Sequence, residues 1–314
     1  MRSLDSFSKV SLGIFPTPIQ RLDNMSRTLG TNVYIKRDDL TGLGLGGNKV
    51  RKLEYLLADA RQTGARAVFT TGGAQSNHAM LTAAAAGKMG MRPILILKKR
   101  GVTELLGNRL LESLMDTEVI FMDTDDYTDI YAEMDRIGRG LGVPYYKIPC
   151  GGSNALGSLG YVSCAAEIRE QGIHFDHLVC AEGSGGTMAG LALGAKLFLP
   201  GTQVHGMMVD TEPFDKITPA LMREAAALLE AEVSVDPGDF ILHDMCGPGY
   251  ARPSEEGGEA ISLMASLEGL FLDPVYTGKA FAGLIKLARE GQFRKTDNVL
   301  FLHSGGAGGL FAVR

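Results

Sequence analysis

Three cations crowd one helical turn in the stretch GGNKVRKLEYLL, residues 46–57: Lys49, Arg51 and Lys52. Asn48 is a good helix cap, and Leu53, Tyr55, Leu56 and Leu57 follow at helical spacing, so the pattern predicts a helix opening at Lys49. The positive end of a helix dipole disfavours each cation there by about 0.3–1 kcal/mol. Something must offset them. A phosphate-bearing aldehyde would: its anion compensates Lys52, and Lys49 loses its charge by condensing with the carbonyl. The competing reading, a set of solvated lysines, gives the adjoining Gly46 and Gly47 no purpose.

Four glycine-rich turns carry hydroxyl or amide side chains that could serve such a ligand: TTGGAQSNHAM, IPCGGSNALGSLGY, AEGSGGTMAG and LHSGGAGGLF. GSGGT, residues 183–187, reads either as a cradle of backbone N–H groups for a phosphate or as a tight turn with Thr187 capping a helix. Gln75, Ser76 and Asn77 at a predicted helix start read as an anion site or as plain capping by Ser76 or Asn77. Other chemistries fit less well. GLGLGG before Asn48 lacks the acidic residue that closes a dinucleotide-binding unit, GSGGT lacks the Lys-Ser/Thr ending of a P-loop, and neither serine turn matches G-x-S-x-G.

The elements that must hold these turns alternate along the chain. RAVFTTGG, RPILILK, EVIFMD, YYKIP, HLVCAEGSGG, QVHGMMVD and NVLFLHSGG are apolar, β-rich runs of the kind buried on both faces of a parallel sheet. HAMLTAAAAGKMG, YTDIYAEMDRIGRGLG and GTMAGLALGAKLFLP are helical stretches between them, so the fold class is α/β, with ligands expected at the carboxyl ends of the strands. VDPGDF and CGPGYARPSEEGG read as long loops. At 314 residues two coupled lobes are expected. A net charge of −5 offers no basic field for nucleic acid, and no apolar run is long enough to span a bilayer. The first twenty residues do not read as a signal peptide, and four scattered cysteines without metal-ligand spacing fit a reducing cytoplasm with no bound metal.

Five blocks together, IKRDDLTGLGLGGNKVRKLEYLLADA, GGAQSNHA, GGSNALGSLGYV, DPVYTGKAFAGLI and FLHSGG, resemble the pyridoxal-phosphate enzymes of the 1-aminocyclopropane-1-carboxylate deaminase and D-cysteine desulfhydrase family. The resemblance runs from FPTPIQRLD to the last residues. It implies a tryptophan-synthase-β-like fold of type II, with two open, twisted, mostly parallel sheets flanked by helices and the cofactor between the lobes. A large domain of residues 1–52 and 160–314, a small domain of residues 53–159 and a homodimer are implied with it.

Carried over residue by residue, the resemblance implies that Lys49 binds the cofactor and moves the Cα proton, with Ser76 and Tyr276 also catalytic. Lys52 and the turn Gly183, Ser184, Gly185, Gly186 and Thr187 would hold the phosphate. Asn77 would meet the 3′ oxygen and Thr277 the ring nitrogen. Gln75, Ser76, Asn77 and His78 would receive the substrate. Family members that open a cyclopropane ring resemble YEGK where this chain has YTGK. The neutral Thr277 leaves the ring nitrogen a weaker electron sink and favours a leaving group on Cβ. The expected reaction is therefore β-elimination from D-cysteine to pyruvate, hydrogen sulfide and ammonia. The alternative is an L-cysteate sulfo-lyase releasing sulfite; a cyclopropane deaminase or a non-catalytic cofactor-binding protein fits less well. Two departures stand out. Met80 and Leu81 replace an expected Arg-Gln, and the segment beginning LKKRG is shortened, its Lys98, Lys99 and Arg100 reading as a solvated charge run. Tyr250 and Tyr161 are candidate pocket residues on resemblance.

Overall fold

The computed structural model describes residues 1–312. Its strands are β1 (Ile19–Arg21), β2 (Asn32–Arg37), β3 (Ala67–Gly73), β4 (Arg92–Lys98), β5 (Glu118–Met122), β6 (Tyr145–Lys147), β7 (His177–Glu182), β8 (Gln203–Met208), β9 (Ile241–Asp244) and β10 (Asn298–His303). The helices are α1 (Asp23–Leu29), α2 (Lys49–Gln62), α3 (Asn77–Lys88), α4 (Gly107–Ser113), α5 (Tyr127–Gly140), α6 (Ala155–Glu170), α7 (Gly186–Phe198), α8 (Phe214–Leu228), α9 (Glu255–Glu268), α10 (Thr277–Arg289) and α11 (Ala307–Leu310). Two sheets result. One runs β1-β2-β10-β7-β8-β9, parallel except for β1, and the other β5-β4-β3-β6, parallel throughout.

Burial explains the continuous apolar runs. Every residue of β3 is buried, and so is every residue of β4 except Arg92. Alternate residues of the larger sheet serve two different cores: Leu178, Cys180, Leu300 and Leu302 pack toward α6, α7 and α8, whereas Val179, Val299 and Phe301 pack toward α1, α9 and α10. A one-residue shift in register would exchange those sets. In the smaller sheet Val68 meets α2 and α3, while Ala67 and Phe69 meet α5. Helix α2 joins the two halves, contributing Tyr55 to the first core and Val50, Leu53, Leu56 and Leu57 to another.

Three strands were not visible as apolar runs. β1 has three residues, β9 (ILHD) is an edge strand with exposed ends, and β2 mixes Val33 and Ile35 with Lys36 and Arg37. Lys36 is nonetheless wholly buried, its Nζ donating to Thr17 O, Glu167 Oε1 and Gln171 Oε1. A charged residue thus occupies a core position because an ion-pair network receives it.

Candidate active site

Helix α2 begins at Lys49, but Asn48 does not cap it. Asn48 has helical angles (φ −56°, ψ −25°), and its Nδ2 donates instead to Thr187 Oγ1 at 3.0 Å. That bond ties the first turn of α2 to the first turn of α7, where Gly185 rather than Thr187 holds the cap position.

Two of the three cations of the crowded turn have partners within the protein. Arg51 donates from Nε and Nη2 to both oxygens of Asp38, at 2.8 and 2.9 Å, and from Nη1 to Glu167 Oε2 at 2.8 Å. Burial opposes the charge on Asp38, but Arg51 and the hydroxyls of Tyr161 and Thr17 outweigh it and hold the carboxyl below its ordinary range. Lys52 is fully buried and donates to Gly151 O at 3.1 Å and Ser153 Oγ at 3.3 Å. Burial, reinforced by Lys49, pushes its ammonium well down. Lys49 forms no ion pair among the described residues, and burial lowers it to about 8. It is the amine of this turn whose side chain lines the cavity between the two sheets.

The turn after β7 closes around Lys52. Gly185 has φ +87°, and a Cβ there would lie 2.6 Å from Ile217 Cγ2, so only glycine serves. A Cβ at Gly186 would lie 2.8 Å from Lys52 Nζ, and one at Gly151 2.1 Å from Ser184 Oγ. Ser153 Oγ accepts from Gly186 N at 3.2 Å and donates to Ser184 Oγ at 3.0 Å. Backbone N–H groups, two serine hydroxyls and an ammonium around one glycine turn form a donor set suited to a phosphate, and an amine near 8 suits an aldehyde. These residues fit pyridoxal phosphate.

Across the cavity stands the start of α3. Ser76 caps it, Oγ accepting from Ala79 N at 3.2 Å, and Asn77 Oδ1 accepts from Asn108 Nδ2 at 2.7 Å. Thr70 Oγ1 donates its single proton to Ile148 O, so it accepts from His78 Nε2 at 2.7 Å. Burial, together with Lys49 and Lys52, keeps that imidazole neutral by pushing its pKa well down. Ser76, Asn77 and His78 line the same cavity as Lys49, Gly183, Ser184, Gly185, Thr187 and Tyr276. Tyr276 OH lies 2.5 Å from Tyr250 OH, with the rings edge to face. Burial raises both phenols well above the usual range, so both keep their protons.

Gln75 and Thr277, also expected at the site, commit their side chains elsewhere. Gln75 spends its side chain on a neighbouring loop: Nε2 donates to Val102 O and Leu106 O, and Oε1 accepts from Asn108 N. Thr277 is fully buried beside Asp273, its Oγ1 accepting from Asp273 N and donating to Asp273 Oδ1, both at 2.7 Å. Its hydroxyl has no proton left for a ring nitrogen. Ser304, just past β10, is among the hydroxyl-bearing residues that line the cavity.

Several wall residues escaped sequence reasoning. Lys98 is not solvated: it is 3% exposed, its Nζ donating to Asp125 O at 2.6 Å and sitting 3.4 Å from the centre of the Tyr127 ring. Its place at the carboxyl end of a buried parallel strand was the available signal. Arg100, Cys150, Glu182 and Asp210 join it on the wall. Met80 and Leu81 belong to the core beside Val50 and Leu53, with Leu81 Cδ1 3.2 Å from where a Cβ of Gly47 would stand.

Two strand ends, one from each sheet, present glycine turns to one cavity holding a free amine, which is the arrangement of a cofactor-dependent α/β enzyme. The chain belongs to the family of pyridoxal-phosphate dependent enzymes, whose model matches residues 10–305, and within it to the deaminase and desulfhydrase group that the motifs resemble. It is 44% identical to a Pyrococcus horikoshii protein named "Putative 1-aminocyclopropane-1-carboxylate deaminase", over 98% of this chain and 94% of that one. A Thermotoga maritima protein of the same name is 42% identical over 97% of this chain and 98% of its own. The crystal structure of an ACC deaminase homologue superposes with a TM-score of 0.91 at 44% identity, covering 98% of this chain and 94% of that one. A hydrogen sulfide-producing enzyme from Fusobacterium nucleatum, 16% identical with a TM-score of 0.71 over 98% and 99% of the two chains, shares the fold. Pyridoxal phosphate is thus the cofactor and lyase chemistry the class. No helix among the described residues is long and apolar enough to cross a membrane.

Proposed function

We propose that this enzyme eliminates the Cβ substituent of a cysteine-like amino acid, converting D-cysteine to pyruvate, hydrogen sulfide and ammonia. The observation that carries this reading is the neutral hydroxyl chemistry around Tyr276. Position 277 is a threonine locked to Asp273, and the cavity wall just past β10 carries a neutral residue, Ser304, as the candidate partner of a ring nitrogen. A neutral partner suits a reaction whose leaving group departs readily.

When bound, pyridoxal phosphate supplies an aldehyde for Lys49 and a conjugated ring that accepts charge from a substrate's Cα. Lys49, titrating near 8, gives and takes a proton at Cα under ordinary conditions. The free N–H groups at the start of α3 and the hydroxyl of Ser76 orient the substrate carboxylate; Ser76 Oγ accepts from Ala79 N and keeps its own proton to donate. Only one phenol can donate into the Tyr250–Tyr276 bond, so the pair holds a second proton available to a departing sulfur. The catalytic roles of Lys49, Ser76 and Tyr276 and the binding roles of Asn77, His78 and the 183–187 turn are part of this proposal.

Two other readings each have an observation in their favour. Lys98 and Arg100 on the wall favour an anionic substituent, as in L-cysteate with release of sulfite. The names of the two relatives favour opening of 1-aminocyclopropane-1-carboxylate. Purified protein given D-cysteine, L-cysteine, L-cysteate and the cyclopropane amino acid in parallel decides, with pyruvate, sulfide, sulfite and 2-oxobutanoate assayed together. Pyruvate with sulfide from D-cysteine supports the proposal; 2-oxobutanoate or sulfite as the main product overturns it. A homodimer, a cytoplasmic setting and a division into residues 1–52 with 160–314 and residues 53–159 belong to the same proposal. The division is supported by the partition of strands between the two sheets. Sedimentation mass tests the dimer.

A further inference from the structure

Glu182 is a charged wall residue for which the proposed chemistry has no use. It ends β7, is 1% exposed, and folds its side chain over the turn that follows. Oε1 accepts from Gly185 N at 2.6 Å, while Oε2 is buried with no hydrogen-bond partner among the described residues. Gly185 is the cap residue of α7, so its N–H is one of the donors that a helix start offers to an anion.

We propose that Glu182 competes with the cofactor's phosphate for the Gly185 N–H, so that the enzyme takes up a proton on Glu182 together with the cofactor. A phosphate monoester carries about −1.5 to −2 charge near neutrality, and a second anion on the same turn repels it. The carboxylate has few compensations. The groups that favour its charge are the Gly185 N–H first and then Lys52 and Lys49 from α2, while the Cys180 thiol two residues back on its own strand is itself held protonated, by burial and by Glu182. Burial outweighs them and raises Glu182 to about 7, within reach of ordinary protonation. A protonated Glu182 holds the Gly185 N–H only weakly and has an O–H of its own to donate to a phosphate oxygen. The balance is simple: the dianion enters, one proton comes from solvent, and no covalent bond changes. The inference rests on the cofactor class and is independent of which amino acid is cleaved.

The test uses full-length protein stripped of cofactor and pyridoxine 5′-phosphate as probe, which has the phosphate but no aldehyde, so condensation with Lys49 does not enter. Dissociation constants are measured by calorimetry from pH 6 to pH 8 for the wild type, Glu182→Gln and Glu182→Ala, with circular dichroism confirming the fold. An acid titrating near 7 is only about one-tenth protonated at pH 8. The ratio of wild-type to Glu182→Gln dissociation constants should therefore rise about tenfold across that range, the ratio cancelling the titrations of Lys49 and of the probe. At pH 8, titrations in two buffers of different ionisation enthalpy should show wild type taking up close to one proton more than the variant. A ratio constant from pH 6 to pH 8, or a Gln variant that binds more weakly than wild type at pH 8, overturns the proposal. Should Glu182→Gln misfold, Glu182→Ala supplies the same ratio, and absence of any proton uptake by wild type at pH 8 overturns it alone. None of these readouts depends on turnover, so a negative substrate assay leaves them interpretable.

Discussion

Removal of the Asp38 carboxylate should destabilise the protein by about 3 kcal/mol. Asp38 is wholly buried and accepts from Arg51 Nε and Nη2, from Tyr161 OH at 2.6 Å and from Thr17 Oγ1 at 2.8 Å. In Asp38→Ala the Arg51 guanidinium, 4% exposed, remains in the core with half its compensation. Breaking a buried ion pair by deleting one partner costs about 3–5 kcal/mol, and the surviving bonds to Glu167 place this case at the lower end. With a urea slope of about 3 kcal/mol/M, the unfolding midpoint should fall by about 1 M, read at fixed cofactor concentration because a bound ligand shifts the midpoint. Deletion of the exposed Arg21–Asp23 pair by Arg21→Ala is the control and should cost no more than about 0.5 kcal/mol. The pH dependence follows from the direction of the shift. Asp38 is held below its ordinary value of 3.8, so its stabilisation is complete above that pH and is lost as the pH falls through the lower folded value. The gap between Asp38→Ala and wild type should therefore be the same at pH 7 and pH 5 and narrow only in stronger acid. A loss under about 1 kcal/mol at pH 7 would show that solvent reaches Arg51 and screens its charge.

Gly151→Ala should weaken cofactor binding at least tenfold by titration of the bound chromophore, because its Cβ would stand 2.1 Å from Ser184 Oγ at a backbone φ of +65°. Tyr276→Phe should bind cofactor normally by the same titration yet lose about a hundredfold or more in kcat, since it removes one of the two phenolic protons. Across β7, β8 and β9, His177, His205 and His243 form a chain of ring contacts, both links 3.0 Å long. Burial and the flanking rings lower His205 to about 3. Its stabilisation is thus present above the unfolded histidine value near 6.5 and drains away as the pH falls toward 3, by a few kcal/mol in all. Urea midpoints from pH 7 to pH 4 should fall more steeply in wild type than in His205→Asn, and parallel curves would refute the assignment.

Motifs that act through backbone were the most legible in the sequence. The glycines of the 183–187 turn, the buried runs of β3, β4, β7 and β10 and the start of α2 at Lys49 all follow from local rules, because glycine and strand burial leave compositional marks. Side-chain partners were less legible, since they depend on what lies across the fold. Asn48 looks like a cap until Thr187 is brought 3.0 Å from it, and Thr277 looks free until Asp273 takes both ends of its hydroxyl. Lys98 followed the rule for charge runs and broke it, because a strand end places it against Tyr127. The crowded cations of α2 were half explained in advance. The ligand reading accounts for Lys49 and Lys52, but Arg51 answers to Asp38 and Glu167, carboxylates near in space and remote in sequence.

The position of β10 has a bearing on how the protein is made. The four strands of the smaller sheet are all synthesised by residue 147, and parallel pairing among them can proceed at once. The larger sheet waits, since β10 lies between β2 and β7, pairing Asn298 with Asn32 and Phe301 with Val179. Until then both neighbours present unpaired edges, the kind that recruit foreign strands. The same delay governs the cavity that Lys49 lines, since Ser304 is among its last parts and Gly47, just before Asn48, bridges to Gly305. A nascent chain exposes Lys49 long before the cavity around it is complete, and that completion waits until residue 305 has left the ribosome.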